Sequence, residues 1–486
     1  MPYKWINGAP KQINYSSSDV LKIIREEGIK FLDLQFTSLP GRFQNITVNS
    51  SMFDDSSIQD GLPKLDGSSI RGFTEIHESD MVLKPDPNTF TIIPWIGKNK
   101  TARMICDVHW GHGGGRLARD PRFIAQKAEK FLKEKGFNFA YWGPEVEFFV
   151  FDRVTWDTTI PSRGSSYSIY SKEAPWSTDG SGYPIRLKEG YLPSTPHDTL
   201  TEYRNECVDF LNDNFGILCD AHHHEVATAG QCEIDIYFDT LTNMGDGAMT
   251  YKYVVKNVAR KHDMIATMMP KPIAMDNGSG MHVNVSLWNE KNEFFDPDDG
   301  HAELSQLGRY FGGGIMEHAN SLCAIIAPTT NSYRRLVPGY EAPVYVAWSK
   351  RNRSAIIRVP MYFKGEKAAK TKRIEFRAPD PSCNPYLCFA AMLAAGLDGI
   401  KNKRDMGDSI DEDIYKMSPD KRRQLGIKQM PGSLNEATQC LKSDHNYLKP
   451  LFTEDTIETL IEIENKEQME LTVRPHPHEF QLYFDI

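Results

Sequence analysis

The 486-residue chain has no apolar run approaching the roughly 20 residues that span a bilayer, so it offers no candidate membrane helix. Its eight cysteines, at 106, 207, 219, 232, 323, 383, 388 and 440, include no CxxC pair. That scatter suits reduced thiols better than a disulfide framework. The start, "MPYKWINGAP", lacks the apolar stretch of a secretory signal, and with the reduced thiols it leads to the expectation of a cytoplasmic protein. Basic residues are outnumbered, 56 against 65 acidic, for a net charge of −9 and a pI near 5.9. A nucleic-acid binder needs a cationic surplus, so that class is not expected. With 40% hydrophobic residues over this length, a large core and more than one domain are expected instead.

The order of segments points to an α+β protein in two unequal domains. "SDVLKIIREEG" (18–28) reads as a short helix, followed by the strand-like "IKFLDLQFTS" and "FQNITVNSSMF". "DMVLKPDPNTFTIIPW" and "TARMICDVHW" again read as strands, so residues 1–114 form a small sheet-rich domain. The glycine-rich "WGHGGGRLARDPR" (110–122) lacks the Lys-Ser/Thr of a P-loop and reads as a linker or turn. "PRFIAQKAEKFLKEKG" then starts the larger domain, 120–486, where strands alternate with helices such as 198–216 and 247–263. Residues 153–197, rich in Ser, Gly and Tyr and without a period, read as an insertion or long loop.

The chemistry is carried by carboxylates on strands. In "YWGPEVEFFVFD" (141–152) Val146, Phe148 and Val150 share one face, while Glu145 and Glu147 share the other with Phe149 and Phe151. Two carboxylates entering an apolar core need a counter-charge. "HHHEVATAGQCEIDI" (222–236) reads as a hairpin centred near Ala229, which would set Glu225 opposite Glu233, a like-charge pair that is unfavourable unless bridged. The histidines 222–224 read as structural, because consecutive strand residues cannot all face one ion. In "KRIEFRAPDPSCNPYL" Glu375 lies between Arg373 and Arg377 on one strand face, either as a salt-bridge ladder or as part of a ligand site. "DNGSGMHVNVSLW" (276–288) runs from a glycine-permissive loop into a strand that carries His282, Asn284 and Ser286 on one face. Five glutamates with one imidazole suit Mg²⁺ or Mn²⁺ rather than structural zinc. Against them, "RRLVPGYEAPVYVAWSKRNRSAIIR" (334–358) concentrates Arg334, Arg335, Lys350, Arg351, Arg353 and Arg358 among apolar residues. Metal-binding carboxylates beside arginine forks suggest phosphoryl transfer.

"LDGSSIRGF", "GPEVEFFVFD", "HHHEVATAGQCEI", "DNGSGMHV", "NSYRRLVPGYEAP", "RNRSA" and "RIEFRAPDPSCNPYL" stand in the order seen in type I glutamine synthetase, which the chain resembles over nearly its whole length. The resemblance implies an N-terminal β-grasp domain and a catalytic domain whose curved antiparallel sheet forms a funnel. It also implies a homo-oligomer, a dodecamer of two stacked hexameric rings, with sites shared between neighbours. The implied reaction phosphorylates the γ-carboxylate of L-glutamate with ATP, then displaces phosphate with ammonia. One metal ion would sit on Glu147, Glu225 and Glu233, and another on Glu145, His282 and Glu375. Asn277, Gly278, Arg335 and Arg377 resemble glutamate-holding positions. Asp220, Phe238, Asn284, Ser286, Lys370 and Arg373 resemble nucleotide-side positions, while Arg353 and Arg358 would meet the phosphates. Asp66 resembles the aspartate that reaches an adjacent subunit's site to bind ammonium and accept its proton, with Tyr191 and Glu225 as further walls of that pocket. Glu341 would be the flap carboxylate that shields the acyl phosphate from water.

Three positions depart from the family pattern. Many type I enzymes carry a second histidine two residues after the metal-binding one, where this chain has Asn284; the expected consequence falls on the nucleotide side and leaves metal ligation untouched. The 172–193 insertion resembles the β subtype, whose bacterial members can be adenylylated on a tyrosine. Here the comparable Tyr415 sits in "EDIYKMSPDKRR", without the usual acids and prolines, and an ordinary exposed tyrosine is the favoured reading. Glu75 replaces the arginine that α-subtype members use in glutamine feedback. The alternatives are a γ-glutamyl-amine or polyamine ligase of the same superfamily, and an inactive structural relative. Intact "DGSS" and "PGYEAP" favour ammonia over a bulky amine, and six filled metal positions argue against inactivity.

Overall fold

The computed structural model describes residues 3–6, 9–12, 14–75, 78–177, 180, 182–340, 342–350 and 352–486. Among these, Tyr3–Ile6 and Ala9–Gln12 pair as an antiparallel ribbon, followed by a helix, Ser17–Glu26, whose first turn is closed by a capping box between Ser16 and Asp19. It lies on a mixed sheet ordered Phe43–Asn49, Phe31–Thr37, Thr101–Trp110, Asp80–Pro85, Leu62–Asp66, with Thr91–Ile92 also on Thr101–Trp110. The central strands "FLDLQFT" and "TARMICDVHW" are buried almost throughout, whereas the edge strand Phe43–Asn49 alternates between half-buried and exposed positions. Strands covered on both faces need near-continuous apolar runs, and edge strands do not. The glycine-rich segment turns at His112 and Gly113, both with positive φ. A helix, Pro121–Glu134, then begins behind an Asp120 cap.

The larger part is built on a strongly curved, mostly antiparallel half-barrel. Its order is Cys219–His224, Gln231–Ile236, Phe139–Phe151, Met281–Trp288, Ile374–Phe376, Ala355–Arg358, Tyr345–Ser349, Lys428–Gln429. The long central strand Phe139–Phe151 explains the curvature's chemistry. Val146, Phe148 and Val150 face the main core, where Tyr251 of the helix Leu241–Lys261 donates to the Val146 carbonyl at 2.8 Å. Trp142 stacks on Phe389 of the helix Pro385–Asn402, an element apolar around most of its circumference and correspondingly buried. On the opposite face, Phe149 and Phe151 close the concave side with Ala227, Ala229 and Ile273. Glu145 and Glu147, on the same face, line a polar hollow.

Two features of the fold differ from expectation. Residues 153–197 are not a bare loop: Arg153–Asp157 and Ser166–Tyr170 pair as a hairpin. Apart from Val154 and Ile169, which pack on the Phe149–Phe151 cluster, its strands are largely exposed, so no sustained apolar alternation marks them. The seam between the two parts is held by Arg122, 4% exposed, which donates to Asp86 and Asp107 of the N-terminal sheet and to Asp246 of the helix Leu241–Lys261. Nothing in the local sequence marks that residue.

Candidate active site

The concave face of the half-barrel holds two adjoining cavities, of about 230 and 380 Å³, which share Glu145 and Asp235. The smaller is lined by Glu145, Glu147, His223, Glu225, Glu233 and His282 with the buried Arg335 and Arg377; the larger is aromatic, with Tyr141, Phe238 and Trp288 in its wall.

The sheet register sets the acidic clusters. Met281–Trp288 pairs with Phe139–Phe151 so that His282 is opposite Glu145, and with Ile374–Phe376 so that Asn284 is opposite Glu375. One donor atom each from Glu145, His282 and Glu375 lies within 4.8 Å of the others. Glu375 is 1% exposed, and its oxygens accept from Arg377 Nη1 at 2.5 Å and Arg358 Nη1 at 2.7 Å. Arg373 is not one of its partners. That guanidinium turns instead to Asn284, so of the two readings open for this strand face the three-residue ladder is not the one formed. Burial, with Arg377 nearby, pushes the His282 imidazole well below its usual range, so it is neutral and has a lone pair to offer.

The second cluster is His223, Glu225 and Glu233, again with donor atoms within 4.8 Å. The hairpin register is one residue tighter than expected. His223, not Glu225, is opposite Glu233, and the Glu225 N–H donates to the Gln231 carbonyl. The centre is therefore Thr228, because Ala229 and Gly230 both take positive φ and close the turn early. Glu225 still shares the face, two residues along from His223. The three histidines separate as strand alternation requires. His222 meets Asn205, and His224 is buried against Glu173 and the Gly190 carbonyl, while His223 faces the cavity, contrary to the structural reading given to all three. Glu147 lies beside this cluster, opposite Glu233 in the ladder, but its Oε2 is taken by Gln231 Nε2 and the Gly280 N–H, each at 3.0 Å. Burial first, then the charges of their neighbours, raises the carboxyls of Glu147 and Glu233. Such a set is stable as anions only with a cation between them. Hard oxygen donors with one or two imidazoles fit Mg²⁺ or Mn²⁺.

The other expected residues fall into place around these clusters, with exceptions. Asn277, Gly278, Arg335, Arg377, Arg353, Arg358 and Tyr191 line the smaller cavity. Arg335, 3% exposed, is held by the carbonyls of Ala378 at 2.9 Å and Arg377 at 3.1 Å. A Cβ on Gly280 would come within 2.6 Å of its Nη2, so the glycine is what lets the guanidinium reach the cavity. Asp220, Phe238, Asn284, Ser286, Lys370 and Arg373 line the larger cavity. Asp66 is in neither: it is exposed on the N-terminal sheet, where hydrogen bonds from Ser68 hold its carboxyl below the usual carboxylate range. Glu341 and Arg351 lie outside the described residues. Tyr415 is not an exposed tyrosine: it is half-buried against the core, and its hydroxyl donates to the Ala342 carbonyl. His223, Gln231, Asp235 and Tyr340 join the cavity without having been singled out. For Asp235 alternation with Glu233 was the available signal; for Gln231 and Tyr340 there was none.

Comparison with known proteins agrees with this architecture. Residues 28–111 match the family model "Glutamine synthetase, beta-Grasp domain", and 118–483 match "Glutamine synthetase, catalytic domain". The chain is 53% identical over 480 residues to a glutamine synthetase of Sulfolobus acidocaldarius, covering 98% of this chain and 99% of that one. It is 47% identical over 480 residues to one of Frankia alni, with 97% and 99% covered. A solved glutamine synthetase structure from Plasmodium falciparum superposes with a TM-score of 0.86 at 26% identity, over 97% of this chain and 99% of that one. Among the described residues, no helix is long and apolar enough to cross a membrane. By sequence along almost its full length, and by fold, the chain belongs to the glutamine synthetase family.

Proposed function

We propose that the two cavities are the active site of an ATP-dependent glutamate–ammonia ligase, which makes L-glutamine through a γ-glutamyl phosphate. The observation that carries this reading is the pair of acidic clusters beside a cationic chamber that adjoins an aromatic one through Glu145 and Asp235. Glutamate fits the smaller chamber, where Arg335, Arg377 and Asn277 would bind its carboxylates; ATP fits the larger, with its base near Phe238 and Ser286. The Ser286 hydroxyl already accepts the Trp288 indole N–H at 2.8 Å, so its proton is turned outward as a donor for the base. Asp220, Lys370 and Arg373 would flank the nucleotide.

Glu145, His282 and Glu375 would hold one divalent ion, and Glu225 and Glu233 a second, assisted by Glu147 or His223. When bound, Mg²⁺ or Mn²⁺ neutralises phosphate charge and orients the phosphoryl group. Arg353 and Arg358 line the smaller cavity and would stabilise the transferred group. Arg358 is held by Glu375 and by the Tyr362 hydroxyl at 2.8 Å, so little reorganisation is needed as negative charge moves. Glu341 would close over the acyl phosphate and exclude water. A Gly280→Ala variant would force Arg335 out of its three-carbonyl cradle. The same Cβ would lie 3.0 Å from His282 Nε2, so we expect the KM for glutamate and the Mg²⁺ concentration for half-maximal activity to rise together, each by about ten-fold, from the roughly 1–3 kcal/mol typical of overpacking; steady-state kinetics with glutamate and Mg²⁺ varied in turn will show it.

In this reading Asp66, held anionic by its serines, serves the ammonium pocket of an adjoining copy beside Tyr191 and Glu225, in a ringed homo-oligomer, by family a dodecamer. An exposed aspartate remote from its own chain's cavities supports that arrangement. Mixing inactive Asp66→Ala and Glu375→Gln proteins, after subunit exchange, should restore roughly a quarter of wild-type activity by random pairing. No recovery in demonstrably hybrid oligomers would place Asp66 elsewhere. The division between residues 1–114 and 120–486 fits the same scheme, with the smaller part presenting Asp66.

The test of the reaction itself is ATP-dependent phosphate release with glutamate and Mg²⁺, with and without ammonium, with glutamine assayed directly. Ammonium-dependent phosphate matched one-for-one by glutamine is the expected result. Phosphate release restored only by larger amines would overturn it.

A further inference from the structure

We propose that Asn284 is a positioning residue that couples the nucleotide chamber to the metal cluster, rather than a nucleotide contact alone. The inference deepens the ligase reading above and rests on it for the identity of the two ligands. Asn284 stands two residues beyond His282 on the same strand face, with Glu375 as its ladder partner on one side and Gly143 on the other. Its amide nitrogen donates to Glu145 Oε1 at 2.9 Å and to the Gly143 carbonyl at 3.1 Å. Its amide oxygen accepts from Arg373 Nε at 2.8 Å. The orientation is dictated by charge: flipping the amide would set oxygen against a carboxylate and NH₂ against a guanidinium.

The consequences run to both sides. With Oε1 held by Asn284, Glu145 turns Oε2 toward His282, 3.3 Å from Nδ1, so the carboxylate is aimed into the cluster before any ion arrives. Groups that orient a ligating carboxylate in this way commonly set metal affinity by about 10–100-fold. On the other side the same amide fixes the Arg373 Nε while the Thr371 carbonyl takes Nη1 at 3.1 Å, so the guanidinium plane is set for the larger cavity. Arg373 has no ion pair with any residue of the cluster among the described residues, so its influence on the metal passes through the amide. Whatever tightens one side therefore tightens the other, and the coupling is reciprocal. This also revises the expectation that an asparagine at position 284 leaves metal ligation untouched.

The experiment is Mn²⁺ binding to the full-length protein without nucleotide, followed by electron paramagnetic resonance of free Mn²⁺, for wild type, Asn284→Ala, Arg373→Ala and the double variant. Asn284→Ala should weaken the affected site about ten- to a hundred-fold. Arg373→Ala should weaken it by at least about three-fold when Asn284 is present and have no such effect when it is absent. The sign is diagnostic, because removing a positive charge would by itself strengthen cation binding. Mn²⁺ affinity within two-fold of wild type in Asn284→Ala, or tighter binding in Arg373→Ala, would overturn the proposal. Arg373 is half-exposed, so its variant carries the test even if Asn284→Ala folds poorly. Glutamine formation by the same wild-type preparation separates the two claims: a protein that makes none refutes the ligase reading, while the Mn²⁺ shifts still decide the role of Asn284.

Discussion

Glu375→Gln is expected to lower the rate of glutamine formation by about 10²–10³-fold, the scale of losing one fixed electrostatic stabiliser, and to raise the Mg²⁺ concentration for half-maximal activity by about 10–100-fold. Glu375 is 1% exposed and is the acceptor for both Arg358 and Arg377. A glutamine side chain keeps the shape but must turn its NH₂ toward one of two guanidinium groups that are themselves mostly buried. Breaking a buried pair in this way costs about 3–5 kcal/mol, so the variant should also melt earlier. The two effects can be told apart. If Glu375 served only as a rung between arginines, activity would return under stabilising conditions with unchanged Mg²⁺ dependence. If it also belongs to the cation cluster, the Mg²⁺ dependence stays shifted wherever the protein is folded. Steady-state kinetics with Mg²⁺ varied below the melting transition decides between them.

The second large effect is on stability rather than rate. In the metal-free protein, Glu147 is pushed up to about 8, chiefly by burial and then by Glu225, while Glu233 is raised by burial and by the surrounding acids and Asp235 by burial. In the unfolded chain a glutamate titrates near 4.5. Between those values the folded state holds more protons than the unfolded one, so stability is fullest below the unfolded value and falls as pH rises through the folded one. Thermal melts in chelator should therefore drop as pH goes from 5 toward 8. A divalent cation replaces those protons, so its stabilisation should grow over the same interval, by about 2.7 kcal/mol per site at a hundred times the dissociation constant. A chelated protein whose melting temperature rises over that interval would contradict the assignment of these carboxyls to cation sites.

Most of what placed the site was legible because a strand exposes its logic every second residue. Glu145 and Glu147 beside Val146 and Phe148, and His282, Asn284 and Ser286 between buried valines, could be read as two faces before any fold was known. Pairing partners were less accessible. The hairpin centre moved from Ala229 to Thr228 because the turn depends on backbone signs at Ala229 and Gly230, and an alanine gives no hint of positive φ. That shift brought His223 in front of Glu233. Arg373 could not be given a partner from the strand pattern for a related reason: an arginine reaches far enough to choose one on the neighbouring strand, and Asn284 outcompeted Glu375. Tyr415 was judged from the polar residues beside it, yet its ring is pulled inward by contacts with Tyr345 and the Ala342 carbonyl, both distant in sequence. The buried Arg122 between three aspartates had no sequence signal at all, since one of its partners lies more than a hundred residues away.

The central claim is that two cation sites lie beside the cationic chamber. Its most direct test is an anomalous-scattering map at the manganese edge from crystals of the full chain grown with Mn²⁺ and a non-hydrolysable ATP analogue. The account requires two separate peaks, one among Glu145, His282 and Glu375 and one among the carboxylates of Glu225 and Glu233 and their neighbours. Manganese bound only to the nucleotide phosphates, or found away from these side chains, would contradict it.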